Sequence, residues 1–324
     1  MFQLVRFRLA QPQELTKTRP QELAKKRAFL PRGRRKQRRA SHWMINLMYV
    51  PALILMSIFI FYPFMQGIHY SFTNWDGFSA HFSWVGLTQY GRILNDPEVQ
   101  RAIGNTFIYG LGSTLLQNIL GLAYALFLDQ KIRGKGLVRT IVYLPIIISP
   151  LIMGYICYFF FQYDGGAAND VLHLLGRAPL DWLSNGTAAV WIITFVNTYQ
   201  YMGIAMVIYL AGLQAIPKEY LEAAAIDGAG HLARIRMVTL PLLMPSITIS
   251  VVYNVIGGLK LFDVIMAMTQ GNLGSNSIST MMYTLYFRRE DAGYAAALGN
   301  VMFLMITVVG LVLLRYLRRK EVQL

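Results

Sequence analysis

Six long stretches with almost no charge constrain the fold of this chain more than any other feature. They are residues 44–65, 102–128, 138–161, 188–212, 241–267 and 295–314. The third stretch contains Arg139 at its second position and the fifth contains Lys260 and Asp263, while the other four have no charged side chain. A helix of about 20 mostly apolar residues can cross a bilayer, whereas a soluble protein would need amphipathic helices to face water. The sequence therefore predicts an all-α integral membrane protein with six transmembrane helices.

The composition supports a membrane protein and excludes several classes of site. Of the 324 residues, 55% are hydrophobic and only 14% are charged, against about 25% charged in an average soluble protein. The single cysteine, Cys157, excludes a disulfide framework and a zinc site with several thiolates. The histidines show no metal-ligand spacing, and the chain has no phosphate-binding loop of the Gly-x4-Gly-Lys-Ser/Thr type. We expect no metal, no catalytic residues and no cofactor bound by this chain.

The distribution of positive charge predicts the orientation. If the N-terminus is cytoplasmic, the cytoplasmic segments hold 24 of the 30 Lys and Arg residues and the outer segments hold five. Cytoplasmic loops carry an excess of Lys and Arg, so both termini are expected in the cytoplasm. The expected multi-pass organisation has five segments. It comprises a basic tail (1–43), the first transmembrane helix (44–65), an outer loop (66–101), a core domain with five transmembrane helices (102–316) and a cytoplasmic tail (317–324).

The basic tail and the outer loop each allow two interpretations. Residues 1–42 hold 13 of the Lys and Arg residues and two Glu, which favours an anchor at anionic lipid over a nucleic-acid site. The outer loop is rich in Trp, Tyr and Phe. These side chains suit the membrane–water interface, and they would also suit contact with an external partner.

The longest cytoplasmic loop, residues 213–240, has the pattern of a helix–turn–helix. Pro217 suits the first turn of a helix, and Ala223–Ala225 favour helix formation. Gly228 can end that helix in a left-handed conformation. A second short helix over 230–238 then leads to Pro241, which opens the fifth stretch. The small-residue surface favours close approach of another protein, although a linker lying on lipid headgroups has the same pattern.

This loop resembles the EAA loop of ABC importer permeases. The resemblance lies in Glu222-Ala223-Ala224, in Gly228 after three intervening residues, and in Val238-Thr239-Leu240-Pro241. Further segments resemble the sugar-importing branch, and the resemblance covers about 45–316. Those segments are Gly121–Leu126, Arg139-Thr140, Leu144-Pro145, Asp181–Ser184, Leu259–Asp263 and Thr269. The chain departs from the branch after Thr269, where Gln270-Gly271-Asn272 replaces a Gly-Gly-Pro turn.

The resemblance implies a type I ABC importer permease fold in the cell inner membrane. It implies a non-catalytic subunit that works with a second, related permease, two ATP-binding cassette subunits that bind ATP and Mg, and an extracytoplasmic solute-binding protein. No nucleic acid is expected, and the cargo would be a carbohydrate. The loop would couple to the ATPase. The coupling residues are then Glu219, Glu222, Ala223, Ala224, Asp227, Gly228, Leu240 and Pro241.

Polar residues inside the uncharged stretches are candidates for the substrate path, because such residues usually face a cavity. These are Asn197, Tyr199, Gln200, Tyr201, Tyr253, Asn254, Gly257, Lys260, Asp263 and Thr269. Polar contacts between helices would explain Asn197–Tyr201 equally well. Lys260 and Asp263 are three residues apart, so on one helix they could pair, or Lys260 could extend towards the interface.

Other functions have less support in the sequence. An ion-coupled secondary transporter would need inverted repeats or several intramembrane carboxylates, and an intramembrane serine protease would need a Gly-x-Ser-x-Gly segment. A membrane scaffold, and a permease for a non-sugar solute such as glycerol phosphate, remain as alternatives.

Overall fold

A computed structural model describes Leu47, residues 49–130 and residues 133–321. The basic tail 1–43, the start of the first predicted transmembrane stretch and residues 322–324 lie outside the described residues. Apart from one antiparallel bridge between Thr73 and Trp84, regular structure in the described part is helical. The helices are α1 (Tyr49–Tyr70), α2 (Thr88–Asn95), α3 (Pro97–Asp129), α4 (Lys135–Ile147), α5 (Pro150–Phe161), α6 (Ala167–Leu174), α7 (Gly186–Ala215), α8 (Lys218–Ile226), α9 (His231–Leu259), α10 (Asp263–Met268), α11 (278–288) and α12 (Ala292–Arg318).

The long helices agree with the predicted transmembrane stretches. Within the described residues, five helices are long and apolar enough to cross a membrane: α1, α3, α7, α9 and α12. The pair α4 and α5 supplies a sixth crossing if it is taken as one broken span. The prediction of an all-α protein with up to six crossings is therefore confirmed.

The third predicted stretch, 138–161, is not one straight helix. Its two halves, α4 and α5, meet at an angle of 99°. The residue before a proline avoids the helical conformation, and Ser149, which precedes Pro150, is extended with φ −53° and ψ 138°. The break leaves the carbonyl of Ile148 outside the helical pattern, and the Gln200 Nε2 group of α7 donates a hydrogen bond to it at 3.0 Å.

The fifth predicted stretch, 241–267, also has different bounds. The helix α9 begins at His231, so the predicted short helix 230–238 and the membrane helix are continuous. A π-helical turn at Ile235–Thr239 precedes Pro241, consistent with local rearrangement where a proline cannot donate its N–H. At the other end α9 stops at Leu259, and a short helix, α10, starts at Asp263.

The chain divides into two compact units between Phe64 and Met65. In the first unit, none of the described side chains is buried by the chain itself. The second unit has its core between α3, α7 and α9, where helices approach closely at small residues. At Gly121 of α3, an added Cβ would lie 2.6 Å from the Cβ of Ala205. At Gly258 of α9, it would lie 2.9 Å from the Cα of Gly110. Such close contacts are typical of helices packed within membranes.

The aromatic residues of the predicted outer loop pack on one another. Tyr70 stacks on Trp75 with ring centroids 4.1 Å apart, and Phe72 stacks on Trp84 at 5.2 Å. Asp76 closes a turn in this loop: it accepts hydrogen bonds from the Ser79 hydroxyl and from the backbone N–H groups of Ser79 and Phe78. These bonds, that of the Ser79 hydroxyl foremost, lower the pKa of Asp76 to about 2.

Candidate functional site

The predicted coupling loop forms an exposed helix, α8, followed by a tight turn. No residue of α8 is buried. Large apolar side chains project from the helix and from the start of α9, with exposed fractions of 87% for Ile226, 78% for Leu232 and 71% for Met237. Exposed apolar side chains that lie together are typical of a protein–protein contact.

The local sequence explains the shape of this helix. Pro217 is extended, with ψ 134°, and α8 begins at Lys218, one residue later than predicted. Gly228 has φ +81°, as the prediction of a left-handed glycine required. The N–H of Gly228 donates to Ala225 O at 3.1 Å, and the N–H of Ala229 donates to Ala224 O at 2.9 Å. These two bonds satisfy the last carbonyls of the helix in a Schellman motif.

The predicted coupling residues occupy two environments. Most are exposed on or beside α8, namely Glu219, Glu222, Ala223, Asp227 and Gly228. The other three, Ala224, Leu240 and Pro241, are half-buried. The first group can contact another protein directly, whereas the second group supports the loop from beneath.

The predicted substrate-path residues on α7 do not form one polar face. Asn197 and Gln200 are buried, with exposed fractions of 2% and 1%. The Nδ2 group of Asn197 donates to Ser113 Oγ at 3.0 Å, and the backbone carbonyl of Asn197 accepts a bond from Gln117 Nε2 at 3.0 Å. Gln200 bonds to Ile148 O. These two side chains therefore connect helices, in line with the alternative that the run Asn197–Tyr201 includes polar contacts between helices.

Three other candidates are related through Tyr201 of α7. Tyr201 is half-buried and lies close enough to Tyr253 and Asp263 for an electrostatic interaction with both. Tyr253 and Asp263 are exposed, Tyr253 with an exposed fraction of 54%. The phenol and carboxylate groups can bond to hydroxyl groups, and the aromatic rings offer apolar faces. This group of Tyr201, Tyr253 and Asp263 is the polar surface best suited to a carbohydrate among the predicted path residues.

Lys260 and Asp263 do not lie on one helix, so the predicted pair is wrong. Lys260 follows the last residue of α9, and Asp263 opens α10. In the described part of the chain, the ion pairs are Arg92–Asp291 at 2.8 Å and Arg289–Glu98 at 2.5 Å. Lys260 lies at an apolar groove of about 530 Å³ between α9 and α12.

The remaining candidates are accounted for by position. Tyr199 is exposed, with an exposed fraction of 50%, and Gly257 is exposed with no atom close to its Cα hydrogen. Asn254 is buried, and its Nδ2 group has no hydrogen-bond partner among the described atoms. Thr269 is half-buried, and its hydroxyl bonds to Ser275 Oγ at 2.7 Å and to Ile265 O at 3.1 Å. Thr269 therefore holds a loop together.

The sequence analysis missed a set of polar residues on α3. Asn105, Tyr109, Ser113 and Gln117 recur every four residues along the helix, and each makes a hydrogen bond to another segment or within the helix. Next to them, Asn118 Oδ1 accepts bonds from Tyr209 OH on α7 and from Ser250 Oγ on α9. The four-residue spacing of uncharged polar side chains was the signal that could have identified this face.

The structure offers no metal centre within the described residues, where no three His, Cys, Asp or Glu side chains come together. The arrangement provides the exposed helix α8 near one end of α9, and the group of Tyr201, Tyr253 and Asp263 near the other end. The two are joined by one helical segment.

Comparison with known proteins gives consistent matches. Residues 106–322 match the family described as binding-protein-dependent transport system inner membrane component. The chain is 34% identical to the multiple sugar-binding transport system permease protein MsmF of Streptococcus mutans, over 87% of this chain and 97% of that protein. It is 30% identical to a probable starch degradation products transport system permease protein, AmyD of Thermoanaerobacterium thermosulfurigenes, over 93% of this chain and all of that protein.

A solved structure also matches the fold over most of the chain. It is the crystal structure of a bacterial ABC transporter involved in the import of the acidic polysaccharide alginate. The TM-score is 0.76 at 25% identity, and the match covers 88% of this chain and 99% of the matched chain.

Proposed function

The chain belongs to the family of binding-protein-dependent transport system inner membrane components, and on that premise we propose that it is the permease subunit of an ATP-driven importer of oligosaccharides. The observation that carries the proposal is a family match over residues 106–322 together with sugar-transport relatives aligned over nearly their whole length. These matches favour a sugar importer over an ion-coupled transporter and over a permease for glycerol phosphate.

The orientation follows from charge. The N-terminus, the loop 213–240 and the C-terminus lie in the cytoplasm, because this arrangement places most Lys and Arg residues there. The exposed helix α8 is then available to a cytoplasmic protein, and the loops before α3, before α7 and after α10 face outward.

The exposed surface of α8 contacts a separate ATPase. Ile226 and Tyr220 supply apolar area, with exposed fractions of 87% and 47%, while Glu219, Glu222 and Asp227 supply carboxylates for Arg or Lys on that subunit. ATP and Mg bind to the ATPase, and this chain performs no chemistry. A second, related permease completes the path, and an extracytoplasmic solute-binding protein delivers the cargo.

The group of Tyr201, Tyr253 and Asp263 contacts the cargo during its passage. Within this group, Asp263 lies where α10 begins, after α9 has ended. Interrupted helices of this kind line the binding sites of many transporters. Helix α9 connects Asp263 to the coupling loop 213–240. Movement of that loop therefore changes the access of the cargo to the group of Tyr201, Tyr253 and Asp263.

Reconstitution of the complete complex tests this proposal. The permease pair and the ATPase are assembled in lipid nanodiscs, and ATP hydrolysis is measured with candidate solute-binding proteins, each loaded with its sugar. We expect one loaded binding protein to stimulate hydrolysis several-fold over the unloaded protein. Absence of stimulation by every sugar, combined with stimulation by a non-sugar solute, would overturn the assignment to oligosaccharides.

A further inference from the structure

A small polar cavity lies beside the loop that joins α10 to α11. Its volume is about 240 Å³. Three segments form it: the first turns of α3, the loop 270–276 and the end of α11. We call it the arginine cavity, and its charged and amide side chains are those of Glu98, Arg101, Gln270, Asn272, Asn276, Arg288 and Arg289.

The arginine cavity carries an excess of positive charge. Arg289 pairs with Glu98 at 2.5 Å, so these two charges compensate each other. Arg288 Nη2 is 3.5 Å from Gln270 Oε1, which is a neutral and distant acceptor. Arg101 makes no ion pair and no side-chain hydrogen bond among the described residues. Two guanidinium groups, those of Arg101 and Arg288, are therefore left without a carboxylate.

The wall of the arginine cavity is fixed from below by α3. The Nδ2 group of Asn105 donates to Gly274 O at 2.8 Å and to Asn276 O at 2.9 Å. The hydroxyl of Tyr109 donates to Ser275 O at 2.7 Å. A loop held at three successive carbonyls is ordered before any partner arrives, so docking loses little conformational entropy.

The backbone of the same loop has left-handed residues at the edge of the arginine cavity. Gln270 and Leu273 have φ values of 54° and 57°, a left-handed conformation that non-glycine residues seldom adopt. Gly274, with φ +81°, lies against Arg101: an added Cβ would be 3.1 Å from the guanidinium Nη1 atom. The glycine leaves room for the arginine at the edge of the cavity.

We propose that the arginine cavity receives a carboxylate side chain of the extracytoplasmic solute-binding protein, and that Arg101 and Arg288 bind it. The inference rests on the proposed function, which supplies the partner and places this loop on the outer face. Guanidinium groups bind carboxylates through paired, charge-assisted hydrogen bonds. The cavity thereby adds a charge-specific contact to the docking of the binding protein.

A protein carboxylate fits the arginine cavity better than a lipid headgroup does. Leu273 is the one large apolar side chain in its lining, so there is no apolar surface for an acyl chain to follow. The apolar groove at Lys260 provides such a surface elsewhere, with Val252, Ile256 and Phe303 in its wall.

The test compares charge-reversed complexes in phosphatidylcholine nanodiscs. The probe is the loaded binding protein that stimulates the wild-type complex, and its half-saturating concentration for ATP hydrolysis is measured. We expect Arg101→Glu combined with Arg288→Glu to raise that concentration by roughly tenfold, with the maximal rate retained. Raising the salt concentration should weaken the wild-type response and partly restore the response of the charge-reversed variant, because salt screens the attraction in the first and the repulsion in the second.

The matched control is Arg177→Glu, which reverses an exposed charge on another outer loop and should leave the half-saturating concentration unchanged. If the double reversal does not assemble, Arg101→Gln combined with Arg288→Gln replaces it, with a smaller increase expected.

Two results would overturn the inference. One is an unchanged half-saturating concentration in a double variant that assembles normally. The other is a double variant that loses hydrolysis relative to the wild type only in nanodiscs containing phosphatidylglycerol. That result would identify the cavity as a lipid site. A wild-type complex that responds to no binding protein would instead contradict the proposed function itself.

Discussion

Glu222 is an exposed carboxylate on a helix that buries none of its own side chains. If α8 docks on a basic surface of the ATPase, Glu222→Lys replaces an attraction with a repulsion. We predict that the amount of ATPase co-purified with the permease falls at least tenfold, since loss and reversal of a charged contact costs about 2 kcal/mol or more. Asp129→Lys, which reverses another exposed acid at the end of α3, should retain the ATPase. Equal retention by the two variants would contradict the coupling role.

Tyr201 and Tyr199 are separated by about 200° around α7, so their side chains leave the helix on nearly opposite sides, and Tyr201 lies within electrostatic range of Tyr253 and Asp263. We predict that Tyr201→Ala and Tyr253→Ala each reduce sugar uptake several-fold, because each removes an aromatic face and a hydroxyl from the proposed path. Tyr199→Ala serves as the control and should transport normally. The measurement is uptake of labelled sugar at equal permease levels. Similar losses in all three variants would place the path elsewhere.

At the scale of elements, the bond from Gln200 to Ile148 O closes the break between α4 and α5. Gln200→Met keeps the size of the side chain and leaves the carbonyl without its donor. We predict a loss of stability of about 1–3 kcal/mol, measured as a lower thermal midpoint of the purified complex. Gln214→Met, at an exposed position on the same helix, should leave the midpoint unchanged. An unaltered midpoint for Gln200→Met would show that water replaces the lost donor.

The sequence predicted the helices well where apolar length alone decides them. The stretches 102–128, 188–212 and 295–314 lie inside α3, α7 and α12. The predictions failed where single residues interrupt a helix. Pro150 breaks the third stretch, and within the fifth stretch helix α9 ends at Leu259 although no proline follows it. Hydropathy averages over such local events and does not reveal them.

The candidate sites were predictable to different degrees. The loop 213–240 has its own helix signals, and Gly228 took the predicted left-handed conformation. The substrate path depends instead on which face of each helix meets a neighbour. Asn197 and Tyr201 are four residues apart, yet one bonds to Ser113 and the other lies near Asp263. That difference is set by the packing of several helices, which one sequence does not state.

For the whole molecule, the predicted orientation can be tested by labelling. Cys157 is the single cysteine, so Cys157→Ser gives a background without reactive thiols. In that background, we predict that Asn272→Cys reacts with a membrane-impermeant maleimide in intact cells. Asp227→Cys should react only after the membrane is opened, because the predicted orientation places its loop in the cytoplasm. Labelling of Asp227→Cys in intact cells would contradict the predicted orientation and, with it, the proposed coupling to the ATPase.

Helix α9 runs as one helical segment from His231 to Leu259, a length of about 43 Å at 1.5 Å per residue. Its first turns belong to the coupling loop 213–240, and its last residue lies just before Lys260 and Asp263. A π-helical turn lies near its start at Ile235–Thr239, while Met244–Leu259 is regular α-helix. If the segment tilts as a unit, a movement of a few ångströms at one end reappears at the other. Spin labels at the two ends should therefore change their distances to α12 together, in the same nucleotide state.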